Sequence, residues 1–350
     1  MNFFSKTLKT SDSIDIKIPW IEKYRPRKAD EILLEPFIKE KIERIIETKS
    51  IPNMIITGEP GTGKTSTILF LARKLYGDSY NENVLELNAS DDRGLSIINN
   101  TIYPFCKKKI SYNMNKDGDK PNHKLVILDE ADSITQKAQN LLSNIISEFR
   151  KNTRIVFICN DCTQIIESIQ SRCMIIKYPR INSENLYHKI ESICISEKIP
   201  YDIDGINTLL FVSDKDIRQA INNMECIYYS FGKLDEKSVY KLIDKPKPYY
   251  ITEIINSCVS NDYIKTINIV KGLCNKGYTP NDILLTFMKY LFENNEIILS
   301  SGKQISEEVK LKIYEIISLS YIRVNGGIDT LLQLCGCISK IFMYMGKKNI

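Results

Sequence analysis

Gly58-Glu59-Pro60-Gly61-Thr62-Gly63-Lys64-Thr65 decides the architecture of this chain. The stretch fits G-x-x-x-x-G-K-[ST] in full, follows the apolar run Met54-Ile55-Ile56-Thr57, and precedes a segment, 66–75, that reads as a helix. In a strand–turn–helix context the glycines let backbone N–H groups wrap a phosphate chain, and the helix N-terminus adds a favourable dipole. Lys64 then sits against the β- and γ-phosphates, and the Thr65 hydroxyl serves as a ligand for Mg²⁺. Gly58, Glu59, Pro60, Gly61, Thr62, Gly63 and Ser66 complete the candidate phosphate-binding segment. A chance glycine-rich turn is the competing reading, and the flanking strand and helix make it the weaker one.

Four further apolar runs follow: Val84-Leu85-Glu86-Leu87, Leu125-Val126-Ile127-Leu128, Ile155-Val156-Phe157-Ile158 and Met174-Ile175-Ile176. Near-continuous β-branched runs of this length are the mark of a parallel sheet covered on both faces. Separated by helix-length segments, they predict a doubly wound α/β domain of five strands. The third run ends in Asp129-Glu130-Ala131-Asp132, which puts carboxylates at the carboxyl edge of the sheet, where such folds bind ligands. Asp129 is placed to hold Mg²⁺ through water and Glu130 to polarise an attacking water; a solvated acidic turn is the bland alternative. Asn160 ends the fourth run and could position the same water or read the γ-phosphate, although alone it is equally a strand-end cap.

Composition narrows the class. Of 350 residues, 43% are hydrophobic and 26% charged, the balance of a globular chain long enough for two or three modules. A run of roughly 18 apolar residues, the minimum for a membrane span, is absent, and the segment 1–17 lacks the apolar core of a signal peptide. The ten cysteines therefore read as reduced thiols of a cytosolic or nuclear protein. Cys159-x-x-Cys162 with Cys173 invites a zinc reading but lacks a fourth ligand at finger-like spacing. With 48 basic against 43 acidic residues the net charge is +5, which permits a local basic surface without demanding a nucleic-acid partner.

After Arg180 the strand signal stops. Residues 181–243 read as three or four short helices, and Lys245-Pro246-Lys247-Pro248 breaks the chain like a linker. From Tyr249 onward helical periodicity returns, with Ile251, Ile254, Ile255 and Cys258 on one face. Residues 94–105 carry a further stripe of Ile98, Ile102 and Phe105, with Pro104 expected to distort the helix end.

Several motifs occur in an order that has a parallel. Trp20-Ile21-Glu22-Lys23-Tyr24-Arg25-Pro26, the glycine-rich loop, Leu87-Asn88-Ala89-Ser90-Asp91-Asp92-Arg93-Gly94, Leu128-Asp129-Glu130-Ala131-Asp132 and Ser171-Arg172-Cys173 together resemble the small subunits of replication factor C, the eukaryotic sliding-clamp loader. Asp216-Ile217-Arg218-Gln219-Ala220-Ile221-Asn222-Asn223-Met224 looks most like the subunit with a D-M-R-Q-A-L-N-N-L run, and Gly277-Tyr278-Thr279-Pro280-Asn281-Asp282-Ile283 resembles its G-Y-S-P-x-D-I. The resemblance covers nearly the whole chain.

The resemblance implies an α/β plus all-α protein: a loose lead over 1–18, an AAA+ P-loop ATPase core over 19–180, a small helical lid over 181–245, and a C-terminal helical collar over 246–345 that assembles a five-subunit ring. It implies ATP and Mg²⁺ as ligands, the other replication factor C subunits, the sliding clamp and primer–template DNA as partners, no membrane, a nuclear location, and work in replication and repair. Residue by residue, Tyr24, Arg25 and Pro26 match the segment lining the adenine pocket, Asn160 the first sensor and Arg218 the second. Arg172 matches an arginine finger acting in trans on a neighbour's ATP. Arg93 and Lys151, with Arg150 beside it, match positions that track the template backbone, and Asn99 stands where a second arginine is frequent. Ile102 and Phe105 match clamp contacts, against the alternative that the stripe packs on its own core. Departures are Glu59 for a proline, Leu33-Leu34-Glu35-Pro36 for a valine–glycine turn near the base, and Lys215 for a glycine before the second sensor. Rival functions are another AAA+ motor, such as a branch-migration helicase, and a mainly architectural ATP-binding subunit.

Overall fold

Five strands, β1 (Met54–Gly58), β2 (Val84–Asn88), β3 (Lys124–Asp129), β4 (Thr153–Cys159) and β5 (Met174–Tyr178), form one parallel sheet in the order β2-β3-β4-β1-β5. They coincide with the five apolar runs to within one or two residues. The computed structural model describes residues 18–26, 31–90, 95–110, 121–293 and 304–347, and the chain divides into two units, Met1–Leu234 and Asp235–Ile350.

Alternation along the strands explains why the runs are almost wholly apolar. Met54, Ile56, Leu125, Ile127, Val156 and Ile158 enter one core with the helices Pro36–Thr48 and Lys64–Tyr76. Their neighbours Ile55, Val126, Leu128, Ile155 and Phe157 enter the other, under the helix Gln136–Glu148. Both faces are covered, so both parities must be apolar. The two edge strands are the exceptions, each with a neighbour on one side only: Met174 and Ile175 of β5 are exposed, and in β2 Glu86 is exposed with Leu85 and Leu87 half-buried.

The stripe at 95–107 is interrupted. It runs as Leu95–Ile97, a π-helical turn Ile98–Ile102, and Tyr103–Lys107. Pro104 supplies the reason, because it has no N–H and its ring would strike the carbonyl four residues back; a wider turn relieves both.

Helices Ser183–Ser196, Ile203–Val212 and Ile217–Phe231 complete the first unit. The elements described in the second unit are helices: Glu236–Leu242, Pro248–Val259, Tyr263–Asn275, Pro280–Glu293, Glu307–Asn325 and Leu331–Lys347. Ile251, Ile254, Ile255 and Cys258 are buried in its core, as their spacing predicts. Among the described residues no helix is long and apolar enough to cross a membrane.

One buried side chain makes the first unit sensitive to acid. His123, 4% exposed, accepts the Ile51 N–H on Nε2 at 3.2 Å, while its carbonyl accepts the Tyr76 hydroxyl at 2.8 Å. Protonation of the ring would destroy the acceptor, and burial, aided by the Arg154 charge, pushes the imidazole from 6.5 down to about 4. Between those values the unfolded chain binds the extra proton, so stability is full above the upper one and is lost as pH falls towards the lower, on the order of 3 kcal/mol. His123→Gln retains an acceptor without titrating. Denaturant midpoints followed from neutral pH to about 4.5 should fall more steeply for wild type than for the variant; parallel curves would contradict this account.

Candidate nucleotide site

Parallel register brings the chemistry to one edge. Thr57 pairs with Cys159, so Asn160, the next residue after β4, arrives beside Gly58, and Leu128 pairs with Phe157, so Asp129 ends one strand further along the same edge. The glycine-rich loop rises from β1 into the helix Lys64–Tyr76. Gly61 and Gly63 hold φ of +78° and +85°, backbone that other residues adopt only at a cost. A Cβ on Gly61 would also lie 2.3 Å from Asp216 Oδ1, the oxygen that caps the helix Ile217–Phe231 by accepting the Arg218 N–H at 2.8 Å. The loop and the Arg218 helix therefore meet backbone to side chain, and only glycine permits it.

Lys64, 7% exposed, donates to the Gly58 carbonyl at 2.6 Å, the Glu59 carbonyl at 2.8 Å and Asn160 Oδ1 at 3.0 Å. Burial lowers its pKa, with the Arg218 guanidinium adding repulsion and Asp129 opposing it. Two cations facing one small space form a receptor for an anion. Thr65 Oγ1 donates to Asp129 Oδ2 at 2.9 Å, and Asp129 Oδ1 accepts the Glu130 N–H at 2.9 Å. Glu130 is exposed and takes a left-handed φ of +53°, which costs a non-glycine residue about 1 kcal/mol. Asp132 Oδ2 accepts the Asn160 N–H at 3.0 Å, tying the ends of β3 and β4 together.

These groups open on a cleft of about 330 Å³. Gly61, Thr62, Gly63, Thr65, Ser66 and Asp129 form its polar end; Tyr24, Arg25 and Pro26 line it too, as does Arg218. Ile21, Ile32, Leu33, Ile181, Ile217 and Ile221 supply apolar wall, a surface suited to an aromatic base. Sequence reasoning missed Lys189, which also lines the cleft, and the isoleucines at 217 and 221. The latter two were detectable, because they flank Arg218 at helical spacing; Lys189 carries no signal beyond being one lysine among many. The Glu59 carbonyl faces Lys64, whereas its carboxylate pairs with Arg180 at 2.5 Å.

Other candidates lie apart. Arg172 is exposed, donating from Nε to Ser147 Oγ at 3.2 Å and from a terminal nitrogen to the Ser168 carbonyl at 2.6 Å. It precedes β5, at the amino edge of the sheet, whereas the cleft is at the carboxyl edge. Arg150 and Lys151 are exposed in the turn before β4, again at the amino edge. Arg93 lies outside the described residues. Ile102 requires a correction: at 1% exposure it packs with Ile98, Cys106 and Leu142 in the domain's own core, so it offers no surface to a clamp. The π turn contributes Ile98 and Ile102 to this inward-facing stripe, while Asn99 and Asn100 on the same turn are exposed. Phe105 is half-buried, with the Lys124 ammonium 4.5 Å from its ring centroid. The thiols bear no metal-like arrangement: among the described residues no group of three candidate ligands converges, and burial pushes Cys159 up to about 11 and Cys173 up to about 12.

Comparison with known proteins agrees with this geometry. Residues 54–180 match the ATPase family associated with various cellular activities (AAA), and residues 246–340 match the replication factor C C-terminal domain. A Dictyostelium discoideum protein named probable replication factor C subunit 2 is 37% identical, covering 94% of this chain and 93% of that protein. Replication factor C subunit 4 of Saccharomyces cerevisiae is 34% identical over 95% of this chain and 98% of its own length. Among solved structures, the Thermotoga maritima RuvB Holliday junction branch migration motor aligns over 83% of this chain and 98% of its own with a TM-score of 0.52, at 13% identity. At that identity the likeness concerns the fold alone.

Proposed function

The chain belongs to the replication factor C small subunits, and on that premise we propose that it binds Mg²⁺-ATP in the cleft of its first unit and uses it to place a sliding clamp on primer–template DNA. It is an ATP-hydrolysing subunit of a clamp loader. The observation that carries the catalytic reading is the convergence of Lys64, Thr65, Asp129 and Asn160 within single hydrogen bonds at one strand edge.

The residues fit the metal. Thr65 Oγ1 and Asp129 Oδ2, 2.9 Å apart, are hard oxygen donors, few enough to leave room for water and phosphate oxygens, as Mg²⁺ prefers. Thr65 and Asp129 would hold a Mg²⁺ ion, which would supply positive charge to offset that of the phosphates. Lys64 exchanges its carbonyl partners for phosphate oxygens, and the amides of Gly61 to Ser66 wrap the chain. Glu130 accepts a proton from the attacking water, Asn160 orients that water, and Arg218 reads the γ-phosphate from the helical side. Tyr24, Arg25 and Pro26 hold the base. Residues 19–180 act as the ATPase core, 181–245 as a lid and 246–345 as the collar of a hetero-pentamer with other replication factor C subunits, working in the nucleus in replication and repair. Phe105 is the remaining clamp-contact candidate of the stripe. The test is direct: in the reconstituted loader, clamp and primer–template together should stimulate ATP hydrolysis, and an ATPase indifferent to both would overturn the loading role.

Arg93, Lys151 and Arg150 contact the template backbone. Phosphate contacts position a duplex without reading its sequence, which suits loading at any primer end. Lys151→Ala should weaken binding equally on unrelated sequences and lower the slope of log affinity against log salt by roughly 0.9. Asn99, exposed on the π turn, should strengthen binding as Asn99→Arg. Unchanged affinity and slope for Lys151→Ala in a clamp-competent complex would remove that residue from the DNA surface.

A further inference from the structure

The cleft's N-terminal wall is fastened to the helices at 183–231. Tyr24 OH donates to Glu197 Oε1 at 2.5 Å, and Lys23 Nζ meets the same oxygen at 2.5 Å. Glu197, 16% exposed, is the C-terminal cap of the helix Ser183–Ser196. Four residues upstream of Tyr24, the Trp20 N–H donates to Glu225 Oε2 at 3.0 Å, and the buried indole lies 5.5 Å from the Tyr228 ring and 6.2 Å from Tyr229. Glu225, Tyr228 and Tyr229 belong to the helix Ile217–Phe231, which brings Ile217, Arg218 and Ile221 into the cleft. Arg218, Ile221 and Glu225 share one face of that helix, at i, i+3 and i+7.

We infer that Glu197 and Glu225 are positioning residues for the nucleotide base, holding the 20–26 segment as a wall carried by the helical part of the unit. Two glutamates from two different helices grip one short segment at either end, one through a side chain and one through the main chain. The helix Trp20–Lys23 between them spans a single turn, too short to hold itself in water, so its position must come from these contacts. The base wall and Arg218 then sit on the same body, and any movement of that body carries both. The inference rests on the nucleotide reading of the cleft.

The test uses the full-length chain, with ATP and inorganic tripolyphosphate as two probes of one cleft. A wall that touches only the base should matter to ATP and not to the bare phosphate chain. Glu197→Ala should weaken ATP by about tenfold and leave tripolyphosphate affinity unchanged. Glu225→Ala should do the same, whereas Glu225→Gln, whose amide oxygen still accepts the Trp20 N–H, should return to wild type. If Glu197 acts through Tyr24, Tyr24→Phe added to Glu197→Ala should cost nothing further. Equal loss of both probes would mark a merely structural role and overturn the inference, as would ATP binding unchanged in both alanine variants. A wild-type chain that binds neither probe would overturn the nucleotide reading itself, a result distinguishable from the other two.

Discussion

Lys64→Ala should lose ATP binding at this site by two orders of magnitude or so, while Glu130→Gln should keep ATP and stop turning it over. The difference follows from when each residue acts. Lys64 is buried among carbonyls and Asn160 Oδ1, beside a second cation, and on the proposed function its charge meets the phosphates already in the ground state. Removing it leaves those acceptors without their donor as well as the phosphates without their partner. Glu130 is exposed, one residue beyond the Asp129 that meets Thr65, and its carboxylate is needed only when a water attacks. Glutamine keeps its shape and cannot take the proton, which should cost roughly 10²–10⁴ in rate. Equilibrium binding of a fluorescent ATP analogue and single-turnover hydrolysis, measured on both variants, separate the two effects. Tight binding by Lys64→Ala would sink the assignment of the loop.

Arg172→Ala should leave this chain's own affinity for ATP intact and slow hydrolysis at the adjacent site by about 10³ or more. Met174 donates its N–H to the Asn53 carbonyl, just ahead of β1, and the phosphate loop begins only at the far end of that strand. Five strand residues span roughly 16 Å, longer than an arginine side chain, so the guanidinium cannot serve the cleft of its own chain. The exposed Arg172, resting on Ser147 and the Ser168 carbonyl, is held on the outside. The isolated chain should then be a poor ATPase even as wild type. Turnover by the monomer equal to that of the full complex would refute a finger acting across subunits.

How much of this was legible in the sequence depends on the kind of information each feature carries. The sheet was legible because burial on both faces writes an uninterrupted apolar run, as at Leu125 to Leu128, and the phosphate loop because its glycines answer a steric demand visible at Gly61. The edge strand β5 reads the same as a central one, and only the strand order shows that Met174 and Ile175 face outward. The stripe at Ile98, Ile102 and Phe105 was seen as a pattern, but its direction was not, since periodicity gives a face without saying what covers it. Ile102 turned out to belong to the core. Lys189 and Glu197 escaped notice because a charge on a helix surface is unremarkable until a second element approaches it. Lys215, a departure from the glycine of the resembled pattern, holds φ of +61°, beside Asp214 at +53°, so the turn before the Arg218 helix bears a backbone cost that a glycine would avoid.

The opposition between the two edges of the sheet gives this subunit a direction. On the proposed function, one edge receives a phosphate chain, and the other offers the Arg172 guanidinium, which its own cleft cannot use. An object with a socket on one side and a plug on the other cannot pair face to face with its like, because a two-fold arrangement would set socket against socket. If Arg172 serves a neighbour's cleft, such members queue, each completing the one in front, and the queue either closes on itself or winds open. In an open queue the count of complete sites is one fewer than the count of members, and the two ends are chemically unlike: a lone socket at one, an unused plug at the other. A gap of that kind has a fixed polarity, so whatever threads it can tell one rim from the other.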